Sequence, residues 1–149
     1  MKKTAVSLLL VLGLSLAGTP ALLAKEKAAA PTADAAKGKA PLHAVLSADP
    51  KGKAPVAAFS ASDAAIYLVW TGDDLKKGDQ VRAVWYIVDG GKTVVPNSKL
   101  FESTLVAKAP TSTGTSSITK PATGWPAGKW RVDLFVNTAK VESYKFTVK

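Results

Sequence analysis

The chain has 149 residues, a formal net charge of +9, a single histidine, a single methionine and no cysteine. Without cysteine there is neither a disulfide framework nor a lipid-anchored amino-terminal cysteine, so a secreted domain of this sequence is held by its core alone. The charge divides into +2 over residues 1–24, +3 over 25–55 and +4 over 56–149. Spread in that way it favours solubility and mild attraction to anionic polymers, and it lacks the clustered basic face of a dedicated nucleic-acid binder.

Residues 1–24 read as a secretory signal peptide. Lys2 and Lys3 precede the apolar run "AVSLLLVLGLSLAG", and small residues offer cleavage after Ala21 or Ala24. The stretch from Ala5 to Ala24 is long enough to cross a bilayer if it stays uncleaved. Thr19-Pro20 interrupts it where the small-residue region of a signal belongs, which favours cleavage. No membrane span then remains, and the expected location is periplasmic or secreted.

Residues 25–55 are rich in Ala, Lys, Pro and Gly and read as a flexible, disordered tether, since they bury too little to offset their ordering entropy. The string "KGKAP" occurs twice there, at 37–41 and 51–55. A linker repeat of this kind mostly solvates; its sharper reading is a pair of weak contacts to phosphate or uronate groups. Between the repeats "LHAVLSAD" (42–49) can add a short strand to the domain that follows. His43, alone and without cysteine, makes a poor metal site.

From Val56 the texture becomes short apolar runs separated by turn signals, an all-β pattern. Strands are expected at 56–61, 64–70, 80–88, within "TVVP", at 100–107, within "SITK", at 129–136 and at 140–148. Asp89-Gly90-Gly91-Lys92 reads as a hairpin turn and 110–116 as a loop. Seven or eight strands without a helix imply two packed antiparallel sheets over residues 56–149.

The last two strands show the faces. Trp130, Val132, Leu134 and Val136 alternate with Arg131, Asp133, Phe135 and Asn137, and Tyr144, Phe146 and Val148 alternate with Ser143, Lys145 and Thr147. Period two puts Trp130 in the core. In one sheet with 80–88, these strands turn Arg82, Val84, Tyr86, Val88, Arg131, Asp133, Phe135 and Lys145 outward. Arginines beside Tyr86 and Phe135 suit a recognition surface unless the tether folds over it.

"GWPAGKWRVDLFVN" with "VESYKFTVK" resembles the closing strands of immunoglobulin-like or fibronectin-III-like envelope domains of bacteria. The resemblance implies an immunoglobulin-like sandwich of 7–8 strands. In such domains a D-x-G-x-Y turn precedes the penultimate strand, and its tyrosine hydroxyl ties strand to turn. Gly128 matches the glycine, Pro126 stands in place of the aspartate and Trp130 in place of the tyrosine, so an indole N–H is the available substitute. Trp125, inside the turn, reads foremost as a lid on the core and otherwise as an exposed stacking platform.

Chemistry is sparse. One histidine removes most Ser-His schemes, and Asp73, Asp74 and Asp79 are interleaved with lysines, which suits solvated loop charge better than calcium. Periplasmic copper-binding sandwiches resemble the two ends of the domain, but His43 lies well inside and no histidine follows it, so their ligands do not carry over. No catalytic residue, metal ligand or cofactor is assigned. The expectation is a non-enzymatic binding module that holds an envelope protein or polysaccharide, anionic ones included, through Arg82, Tyr86, Trp125, Arg131 and Phe135. The alternative is a hydrolase inhibitor presenting the Trp125 loop.

Overall fold

The computed structural model describes residues 41–149; the expected signal peptide, most of the expected tether and most of the first KGKAP repeat lie outside the described residues. Eight strands follow in chain order: β1 (Leu42–Ser47), β2 (Ala58–Phe59), β3 (Ala65–Gly72), β4 (Gln80–Asp89), β5 (Ser98–Val106), β6 (Ser112–Thr119), β7 (Gly128–Val136) and β8 (Ala139–Val148). They form a three-stranded sheet, β1-β3-β6, and a five-stranded sheet, β2-β8-β7-β4-β5. The all-β, two-sheet expectation holds. Pairing is antiparallel except at one edge, where β2 runs parallel to β8 through Ala58 and Phe59.

Folding begins earlier than the boundary at residue 56. β1 is the short strand that residues 42–49 can add to the domain, not tether: it pairs with β3 from Leu42↔Gly72 to Ser47↔Tyr67. Its Leu42 and Leu46 are completely buried, and two leucines spaced by four residues anchor the strand despite its Ala- and Lys-rich surroundings. The second KGKAP repeat is ordered as well. Asp49 accepts backbone N–H groups of Lys51 and Lys53, and the Val56 amide returns to the Leu46 carbonyl.

Three further expectations fail for local reasons. "TVVP" is no strand; Gly91–Thr93 form a 3-10 turn, and the connection runs on until Ser98. The Asp89-Gly90 hairpin fails with it, because Gly90 stays at φ −112 and only Gly91 turns to φ +74, whereas a two-residue hairpin turn of that type needs both positive. Residues 112–116, expected as loop, belong to β6. Its small side chains are what the neighbouring strand demands: Gly114 sits opposite Trp70, and a Cβ there would overlap the Trp70 ring.

One cluster of buried side chains draws on both sheets, from Leu42, Ile66, Leu68 and Trp70 on one to Val81, Trp85, Trp130, Leu134 and Phe146 on the other. Its centre is aromatic. Phe146 receives the edges of Phe59 and Trp85 at 5.4 and 6.1 Å and stacks on Trp130 at 5.9 Å, geometries that add to simple area burial. The Trp85 indole N–H donates to Ser116 Oγ at 2.9 Å, so a buried polar atom of the core is satisfied across the sheets.

Candidate functional site on the outer face of the five-stranded sheet

β4, β7 and β8 lie side by side as expected, with Arg82↔Phe135, Val84↔Asp133 and Tyr86↔Arg131 opposite one another and Asp133↔Ser143 and Arg131↔Lys145 continuing the rows. Cross-strand neighbours on one face sit about 5 Å apart, so each arginine reaches the ring opposite. The Arg82 guanidinium lies 4.5 Å from the Phe135 ring centre, and that of Arg131 lies 4.6 Å from Tyr86. Four of the five expected site residues are therefore brought together as two cation–π pairs. The β1 segment pairs within the other sheet and does not cover this face.

Two residues expected to show outward are instead buried. Val84 is 3% and Asp133 5% exposed, because the arginine–aromatic pairs on either side lean over them. Asp133 is held there by a hydrogen bond from Ser143 Oγ at 2.6 Å and by the charge of Arg131, whose Nε lies 3.1 Å away without a hydrogen bond. β5 adds Glu102, which accepts from Lys99 Nζ at 3.2 Å and faces Arg82 at 3.5 Å. The Lys99 hydrogen bond, with the charges of Lys99 and Arg82, holds the Glu102 carboxyl below its usual range. The middle of the face is thus self-neutralised, and its stacked arginines are fixed in place.

Lys129, Arg131 and Lys145 line an open cleft of about 310 Å³ together with Ala57, Val88 and Thr147. Lys129 and Lys145 are exposed. Sequence reading named Arg131 and Lys145 but missed Lys129; its parity with Arg131 was the available signal.

Trp125 is a lid. It is 7% exposed, donates its indole N–H to the Asp63 carbonyl at 2.6 Å and meets Trp130 edge-on at 5.8 Å. It does not join the other four site residues and does not project from its turn. It lines a second, larger cleft of about 460 Å³ with Leu100, Phe101, Ile118, Pro121 and Pro126, which no local sequence pattern signals.

At the opposite end, His43 Nε2 lies 3.7 Å from Asp73, and its Nδ1 lies 4.0 Å from Glu142. Glu142 points inward from β8, is 5% exposed and accepts the Tyr144 hydroxyl, which in turn accepts the Ala44 amide. Burial pushes its carboxyl above the usual range, with His43 opposing. Among the described residues no three His, Asp or Glu side chains are placed to hold a metal. Asp79 is engaged elsewhere, by Asn137 Nδ2 and the Lys76 amide, which lower its pKa.

No family model and no curated protein matches the chain. Among solved structures it is similar to the PmoD soluble domain from Methylocystis sp. ATCC 49242 (Rockwell), with a TM-score of 0.46 at 11% identity, over 77% of this chain and 96% of that one. A likeness of that size carries no argument about function. No helix among the described residues is long and apolar enough to cross a membrane.

Proposed function

We propose that the chain is a non-enzymatic, periplasmic or secreted module of the bacterial envelope, an immunoglobulin-like sandwich whose outer sheet face holds an acidic polysaccharide. The sandwich reading is supported by a three- and a five-stranded sheet that feed one core. It is supported again by the turn before β7, where Trp130 plays the part that tyrosine plays in the resembling domains. The localisation rests on the signal-like residues 1–24.

The observation that carries the binding reading is the cleft lined by Lys129, Arg131 and Lys145. Repeating carboxylates of an acidic glycan suit cations held on a rigid sheet. The inhibitor reading needs a projecting Trp125, and a ring anchored to Asp63 O does not favour it.

The test is retention on immobilised polygalacturonate against a neutral glucan. Lys129→Glu with Lys145→Glu lowers retention about tenfold at an unchanged melting temperature, and added salt weakens the parent chain in parallel. Equal retention of parent and variant contradicts the proposal. Retention of both only on acidic protein fractions reassigns the face to a protein partner.

A further inference from the structure

We infer that β5 is a self-association edge, at which two copies of this chain pair antiparallel and join their five-stranded sheets into one ten-stranded sheet. β5 ends the order β2-β8-β7-β4-β5, so its far edge meets no strand among the described residues. Such an edge offers a row of unpaired N–H and C=O groups, and folds ordinarily blunt it with charge, proline or cover. Here β5 carries one internal ion pair, Lys99 with Glu102, and otherwise large apolar side chains. The exposed large hydrophobic side chains of the described region are Val95, Leu100, Phe101, Leu105 and Val106. Four of the five belong to β5, and Val95 lies in the connection leading into it.

Their order says what covers them. Residues 100–106 read Leu-Phe-Glu-Ser-Thr-Leu-Val, with the same order of apolar and polar positions in either direction about Ser103. A two-fold axis through Ser103, perpendicular to the sheet, sets Phe101 opposite Leu105 of the second copy, and Leu100, the extra residue of a bulge against β4, flanks that pair on the side of Val106. Glu102 then faces Thr104, and no like charges meet. Antiparallel pairs of this kind are the unit of sheet stability, and self-complementarity is what an isologous dimer requires.

The surroundings repeat the symmetry. β5 touches β6 at its midpoint, where Ser103 Oγ lies 2.6 Å from Ser116 Oγ. To one side Leu100 and Phe101 overhang the cleft with Trp125 and Pro126; to the other, Leu105 and Val106 overhang a hollow of about 340 Å³ beside Trp70. The dimer brings the first of these against the second, and it leaves both Lys129 clefts on the same side of the joined sheet.

The experiment is sedimentation velocity of the mature chain across a concentration series, with hydrogen exchange of the Phe101–Leu105 amides. A concentration-dependent dimer is expected, with protection of those amides rising alongside it. Thr104 is exposed, so its substitutions test the register without touching the core. Thr104→Glu faces Glu102 of the other copy and weakens the dimer about tenfold, whereas Thr104→Lys tightens it. A chain that stays monomeric overturns the inference. So do equal effects of Glu and Lys at 104, and so does protection that is independent of concentration, the signature of a segment of the same chain lying on the edge.

Discussion

The Trp130 indole N–H donates to the Pro126 carbonyl at 3.1 Å and ties the start of β7 back to the turn that leads into it. The donor is an indole four residues on from its acceptor. Gly128, between the two, adopts φ +144, and a Cβ on it would overlap the Asp89 carbonyl oxygen. Trp130→Phe keeps most of the ring but leaves the tie unmade, and should cost about 1–2 kcal/mol; Trp130→Ala should cost about 3–5 kcal/mol. Gly128→Ala should also destabilise, against the usual benefit of removing a flexible glycine. Urea unfolding followed by tryptophan fluorescence measures all three.

Gly114 and Trp70 form a second packed pair. Gly114→Ala places a methyl group against the Trp70 six-membered ring and should cost about 1–3 kcal/mol, although alanine suits a strand no worse than glycine. Trp70→Phe withdraws the part of the ring that the methyl meets. The double variant should then be more stable than the two separate losses imply, which thermal unfolding of the four proteins decides.

Buried Glu142 makes stability depend on pH in an unusual sense. Its folded pKa is raised above the unfolded value by burial, with His43 as the opposing charge. The folded chain therefore holds that proton more tightly than the unfolded one. This contribution is full below the ordinary carboxylate range and is lost as pH rises through the raised folded pKa. Asp49, Asp79 and Glu102 are lowered, so their contributions are lost at the acid end. Glu142→Gln keeps an acceptor for the Tyr144 hydroxyl. It should abolish the decline on the neutral side and raise the melting temperature at pH 7, leaving the acid limb as it was.

The two cation–π pairs can be weighed one at a time. A double-mutant cycle of Arg82→Met and Phe135→Leu should return a coupling of about 0.5–1 kcal/mol, the range for a partly exposed pair. A coupling of zero would mean that Arg82 is held by Glu102 alone.

Much of this layout was readable from period-two alternation. β7 and β8 each bury one face against the core and show charge on the other, so Trp130, Leu134 and Phe146 announced themselves, and Arg82 and Phe135 followed by parity. β1 and β6 were harder to see because composition pointed elsewhere. Leu42 and Leu46 stand among alanines and lysines, and β6 consists of serines, threonines and Gly114. Its space is filled by Trp70 and Trp85 from neighbouring strands, a fact no local pattern records. Val84 and Asp133 obeyed parity yet are buried, since parity says which way a side chain points and not what folds over it. The Leu100–Phe101 cleft arises from two strands of different sheets, and only the tertiary arrangement brings them together.

The cationic cleft is tested most directly by following backbone amide resonances of the mature chain during titration with an acidic oligosaccharide such as trigalacturonate. Shifts confined to Lys129, Arg131, Lys145 and Thr147, saturating together and suppressed by salt, are the predicted result. Shifts centred instead on the Trp125 turn or on β5, or no shifts at low salt, would contradict it.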